Sequence, residues 1–175
     1  TRCSRDWSSD VCSSDLEVSA RVGETRCTWM LNSRNMTVFP SLQMADATAT
    51  IIRTIRPLSV NRTEMRIHCI APIGEAPAAR ERRIRQFEDF FNPSGLATPD
   101  DNACYRDCQD GYAARTLDWQ QGYDRGMTLT QAGPDALARE LGFMPRTSLN
   151  AHFPVQNETV YHATYREWAR LMAAA

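Results

Sequence analysis

Two adjacent carboxylates, Asp100 and Asp101, are the side chains of this 175-residue chain best placed to do chemistry. They follow Thr98-Pro99, a pairing that reads as a helix start, with threonine able to cap and proline suited to the first turn. Acidic residues there stabilise the positive end of the helix dipole. The same field keeps a carboxylate ionised, which an oxygen ligand to iron also requires. The histidines fit a metal less well. A site of two histidines and one carboxylate normally draws two nearby histidines from one helix, but His152 and His162 are ten apart and His68 falls on a strand, so all three read as structural. Cys104 and Cys108 would share one helix face, yet no second Cys or His pair completes a zinc site. His68 and Cys69 are neighbours on a strand and point to opposite faces, which rules out a nucleophile pair. No Gly-x-Gly-x-x-Gly, phosphate loop or Gly-x-Ser-x-Gly is present.

The elements that must position these groups are legible from periodicity. Cys27–Leu31, Met36–Phe39, Ala49–Arg56 and Thr63–Ile70 are rich in β-branched and apolar residues and read as strands, the last two alternating strongly. Pro57 and Val60-Asn61-Arg62 read as turns, giving an antiparallel meander with one polar face. A helix follows, with Pro77 in its first turn and Ile84, Phe87, Glu88 and Phe91 at i, i+3, i+4 and i+7. Asn92-Pro93-Ser94-Gly95 breaks it, and the helix opened by Thr98 should run to about Gln109, stopped by Gly111. Leu117 to Asn157 is irregular, with one short helix near Asp135–Leu141, and a helix over Val160–Met172 closes the chain. Sheet first and helices after is an α+β arrangement. Taken alone, these residues support a helix-covered antiparallel sheet with an internal pocket.

Composition narrows the function. Twenty basic residues, all arginine, against 21 acidic ones give a net charge of −1, which favours neither nucleic acid nor an anionic membrane surface. The lack of lysine reads as codon bias in a GC-rich gene. No apolar run approaches the length of a spanning helix and no signal peptide is evident, so the expectation is a cytoplasmic protein. The six cysteines are too unevenly spread for a disulfide scaffold. Residues 1–16 stand apart: Ser8-Ser9-Asp10 is echoed by Ser13-Ser14-Asp15-Leu16, and Arg5 to Leu16 looks like a translated sequencing adapter joined to a broken reading frame, or else a disordered tail.

The run Arg34-Asn35-Met36-Thr37-Val38-Phe39-Pro40-Ser41-Leu42, then Ile55-Arg56-Pro57, Arg62-Thr63-Glu64-Met65 and Ala71-Pro72-Ile73-Gly74-Glu75, and above all Arg83 through Asp101, resembles the C-terminal half of the catalytic domain of Rieske aromatic-ring-hydroxylating dioxygenase large subunits. The branch it resembles most acts on benzoate, toluate and anthranilate, and the likeness runs from about Val22 to the C-terminus. It implies that residues 17–175 are part of a helix-grip catalytic domain whose mononuclear Fe(II) is held by two histidines and one aspartate. By the same resemblance Asp101 is the iron ligand and Asp100 its neighbouring acid. Phe91 walls the substrate pocket with Ala97 nearby, and Phe39 and Ser41 come from a strand.

The departures from the family pattern carry equal weight. The Rieske motif, Cys-x-His with Cys-x-x-His, does not occur in this sequence, nor does the acidic residue with a His pair that supplies the other iron ligands. The expectation is therefore a fragment, inactive alone, of a large subunit that cis-dihydroxylates an aromatic carboxylate with O₂. The family's Rieske 2Fe-2S cluster, small (beta) subunit in a hexamer of three alpha and three beta, and NADH-dependent reductase are implied with it. The other reading kept open is a non-enzymatic helix-grip domain that binds a small ligand.

Overall fold

A computed structural model describes residues 13–116, 122–149 and 157–174, which form two compact units. The larger is built on four strands, β1 (Arg34–Val38), β2 (Leu42–Asp46), β3 (Thr50–Ser59) and β4 (Arg62–Ile70), paired antiparallel in chain order. This is the meander expected, with a strand, β2, that composition did not reveal. Pro57 lies inside β3 at a register irregularity between Pro57 and Ser59, and the turn falls at Val60-Asn61 instead. A proline is tolerated in a strand where the ladder is already interrupted.

Register decides which side chains look inward. Ile51 pairs with Ala45 and Cys69, Arg53 with Gln43 and Ile67, and Ile55 with Met65, so these residues share one face. Ile51 is fully buried there with Ala49 and Phe91, flanked by Ala45, Ile67, Cys69, Phe87 and Phe90. The opposite face carries Thr54, Arg56, Arg66 and His68 but also Ile52 and Ile70, and β1 adds exposed Met36 and Val38, so that face is mixed rather than polar.

Helix α3 (Pro77–Phe90) packs Phe87 and Phe90 against the inward face, with Phe91 at its C-terminal cap, whereas Ile84 from the expected stripe is exposed because only the last turns of the helix reach the core. From α3, Arg83 grips Glu75 through both Nη2 at 2.6 Å and Nε at 3.0 Å and reaches Thr50 Oγ1 at 3.4 Å, tying the helix to the start of β3. The Arg83 hydrogen bond holds the Glu75 carboxyl below its ordinary value of 4.5. A carboxyl depressed by folding stabilises the fold above its ordinary value and loses that contribution as pH falls through the depressed one. Between roughly pH 5 and pH 3 the melting temperature of the chain should therefore fall more steeply than that of a Glu75→Gln variant. Identical slopes would show that the pair does not couple folding to pH.

Helix α4 (Thr98–Ala114) follows and passes straight through Gly111, so it is longer than the glycine suggested. Near the C-terminus of this unit, α6 (His162–Ala173) follows a 3-10 turn at Glu158–Tyr161.

The smaller unit holds α1 (Ser13–Val22), α2 (Glu24–Leu31), a hairpin of β5 (Thr130–Ala132) and β6 (Thr147–Leu149), and α5 (Ala136–Leu141). Cys27–Leu31 is thus helical, not a strand. Cys27 is the buried residue of α2, its thiol 3.5 Å from the Asp15 carbonyl oxygen of α1, and burial of that face outweighs the strand propensity of its neighbours. Asp135 caps α5 by accepting from the Ala138 N–H at 2.7 Å, where the short helix was expected. Of residues 1–16, the last four lie in α1 and the first twelve lie outside the described residues.

Candidate functional site

The link between α3 and α4 places the aspartates. The last turn of any helix leaves carbonyls without intrahelical partners. Here the chain turns back on itself to satisfy them: Leu96 N–H donates to Asp89 at 2.8 Å, Ala97 N–H to Phe90 at 3.1 Å, and the buried Thr98 hydroxyl to Phe91 at 2.8 Å. Thr98 therefore does not cap α4. Ala97 takes that position without a side-chain cap, because the hydroxyl is spent on α3. Gly95 permits the tight return, since a Cβ there would meet the Phe90 carbonyl carbon and oxygen at 2.9 Å. Asp101 N–H then donates to Ala97 at 3.1 Å and starts the helix ladder. Phe91, Ala97 and Asp101 are so joined by one short, internally bonded segment.

Asp101 is half-buried and Asp100 exposed. Tyr105, one turn further along α4, records the charges around it. Desolvation first, then the Asp101 carboxylate, push its phenol above the ordinary value of 10, while the Arg53 guanidinium pulls it down. Arg53 lies with its guanidinium carbon 5.5 Å from the centre of the Phe91 ring, and Phe90 meets Phe91 edge-on at 4.9 Å. An adjoining cleft of about 330 Å³ is lined by Met65, Ile67, Phe87, Asn92, Thr98 and Asn102. Its walls include the strand residue opposite Arg53 and both helix positions flanking Pro99 to Asp101. A larger depression of about 740 Å³ runs along the charged outer side of α3 and includes no residue of α4.

The other candidates are elsewhere. Phe39 and Ser41 occupy the β1–β2 turn rather than a strand, because Pro40 between them has no N–H to give to a ladder. Phe39 is half-buried, and the Ser41 carbonyl accepts from Ile55 N–H at 2.8 Å, which seats the turn beside β3. His68 is exposed on the sheet face away from Phe91, and His162 Nε2 is 2.6 Å from the Tyr123 carbonyl oxygen. His152 lies outside the described residues. Cys104 and Cys108 are exposed free thiols on α4. Among the described residues no three His, Cys, Asp or Glu side chains converge as a metal site. Asp101 offers one oxygen donor of the kind iron takes, and these residues do not complete a ligand set around it.

Sequence reasoning passed over Arg53 and Tyr105. The signal for Arg53 was its parity: it is two residues from both Ile51 and Ile55, so any strand that buries them also turns Arg53 inward.

Residues 15–174 match the family described as ring hydroxylating alpha subunit, catalytic domain. The chain is 40% identical over 157 residues to the 2-halobenzoate 1,2-dioxygenase large subunit of Burkholderia cepacia, a stretch covering 89% of this chain and 33% of that protein. It is 40% identical over 159 residues to toluate 1,2-dioxygenase subunit alpha of Pseudomonas putida, with 90% and 34% covered. Against the anthranilate 1,2-dioxygenase large subunit of Acinetobacter baylyi the identity is 38% over 153 residues, with 87% and 32% covered. The chain spans about a third of the length of these curated relatives. No helix among the described residues is long and apolar enough to cross a membrane.

Proposed function

The chain belongs to the ring-hydroxylating alpha-subunit family, within its catalytic domain, and from that membership we propose that it is part of an oxygenase large subunit that cis-dihydroxylates an aromatic carboxylate. The observation that carries the reading is that all three relatives are named as 1,2-dioxygenase subunits for benzoate-type acids. None of them supports a non-enzymatic ligand carrier. We assign residues 17–175 to the catalytic domain and Asp101 to the mononuclear iron. Asp101 would give one carboxylate oxygen and the complete subunit the remaining ligands. Iron supplies the O₂ chemistry when bound.

The residues of this chain have narrower tasks. Asp101 is held half-buried by the Ala97 carbonyl and the return of the chain onto α3. Asp100, on the exposed side, contributes charge to the helix end. Phe91 and its neighbours on the inward sheet face present the apolar surface a ring needs, and Ala97 leaves room beside it. Phe39 and Ser41 border the pocket from the β1–β2 turn. A small (beta) subunit in a hexamer of three alpha and three beta, a Rieske 2Fe-2S cluster and an NADH-dependent reductase complete the proposal.

A chimera tests it, with residues 17–174 replacing the matching third of one of these relatives and the product supplied with small subunit, reductase, NADH and ¹⁸O₂. The expected result is a cis-diol of an aromatic acid carrying two labelled oxygens. Assembly with intact cluster absorbance but no label in product, or failure to assemble at all, would count against the assignment.

A further inference from the structure

Arg53 projects from the middle of β3 onto the inward face, between Ile51 and Ile55 and opposite Ile67. Its guanidinium lies against the Phe91 ring, its Nε is buried with no hydrogen-bond partner, and it takes part in no ion pair among the described residues. Buried polar groups are nearly always satisfied, and an unpaired buried donor on a charged group is costly, so this donor is open to an incoming acceptor. The chain neutralises other arginines locally, as Arg83 with Glu75 and Arg170 with Glu167 show. At Arg53 the closest packing is instead apolar and aromatic, from Ile51, Ile67 and Phe91, with Gln43 across the ladder and the Tyr105 phenol as its polar neighbours. A planar fork of N–H donors set in apolar and aromatic surface matches a molecule that is a carboxylate at one end and a ring at the other.

We propose that Arg53 binds the carboxylate of the aromatic acid substrate, an inference that rests on the ring-hydroxylating reading and names the residue that selects acids over neutral arenes. An anchored carboxylate fixes the orientation of the ring, which regioselective attack requires.

The test uses the whole 175-residue chain, with benzoate, benzamide and acetate as probes, by calorimetric titration and thermal shift. Wild type should bind benzoate in preference to benzamide and to acetate. Arg53→Met should weaken benzoate binding by about 10- to 100-fold, the worth of a charged hydrogen-bonded pair. It should leave benzamide binding unchanged and keep at least the wild-type melting temperature without ligand, because it removes an unsatisfied donor. Arg53→Lys, which keeps the charge and loses the fork, should fall between. The proposal is overturned if wild type binds no benzoate, binds benzamide or acetate as well as benzoate, or if Arg53→Met binds benzoate normally. It is also overturned if the unliganded Met and Lys variants both melt well below wild type, which would make Arg53 structural. Should benzoate and benzamide bind alike while the chimera still forms the diol, carboxylate selection by Arg53 falls and the oxygenase reading stands. Selective benzoate binding through Arg53 with an assembled but inactive chimera would do the opposite, keeping the carboxylate site and removing the oxygenase reading.

Discussion

Replacing Asp101 with alanine in an assembled dioxygenase that carries this chain is expected to remove the mononuclear iron and lower turnover by more than about 100-fold. Loss of a residue that merely orients a metal ligand costs about 10- to 100-fold, and a direct ligand should cost more. The Rieske absorbance should persist, so total iron falls only by the mononuclear share. Asp100→Ala is the matched control: it shares the helix end but is exposed, and should cost no more than about 1 kcal/mol through the dipole. Metal analysis of the two variants separates the roles, and wild-type iron occupancy in Asp101→Ala would mean that the ligand lies elsewhere. The effect should not be a folding defect, because the backbone bond from Asp101 N–H to Ala97 and the return of the chain onto α3 do not involve the carboxylate.

Phe91→Ala is expected to have the largest effect on stability, a loss of about 3–5 kcal/mol. The ring is 6% exposed and packs on Ile51, Phe90 and Arg53 in a core that includes few other fully enclosed side chains among the described residues. Against a typical total of about 5–15 kcal/mol, such a loss leaves little native protein at moderate urea. Phe91→Leu keeps most of the volume and should cost less than about 1.5 kcal/mol. Urea denaturation of the chain reads both numbers. A loss below about 1 kcal/mol for Phe91→Ala would show that the ring is exposed wall rather than core, whereas the expected loss makes one side chain serve both purposes. In the assembled enzyme Phe91→Leu should then shift the ratio of diol isomers, since it alters the pocket wall without unfolding it.

The legible parts of the fold are those in which local pattern and tertiary environment agree. β3, β4 and α3 announce themselves because alternation or helical spacing of apolar residues is the same fact as their burial against Ile51 and Phe91. β2 has only Leu42, Met44 and Ala45 as apolar residues and no β-branched one, and it is a strand because β1 and β3 supply ladders on both sides. Cys27–Leu31 erred the other way, since its strand-forming composition is overridden by packing of Cys27 against α1. Thr98 had the chemistry of a cap, but a carbonyl of the preceding helix claimed its hydroxyl.

The site divides along the same line. Asp101 was identifiable from its neighbours in sequence because a helix start and an adjacent acid are local features, and the long likeness to a family supplied the role proposed for it. The parity of Arg53 with Ile51 and Ile55 was local and put it on their face, as its pairing with Gln43 and Ile67 bears out, but what it meets there was not local. By itself the sequence determined the α+β order, the helix that presents Asp101 and the family resemblance, since each depends on residues a few positions apart. Only the tertiary structure decided that an arginine from β3 would meet a phenylalanine from the end of α3 with its Nε unsatisfied. Whether a buried charge has a partner depends on every chain segment that folds around it, and no spacing along one segment encodes that.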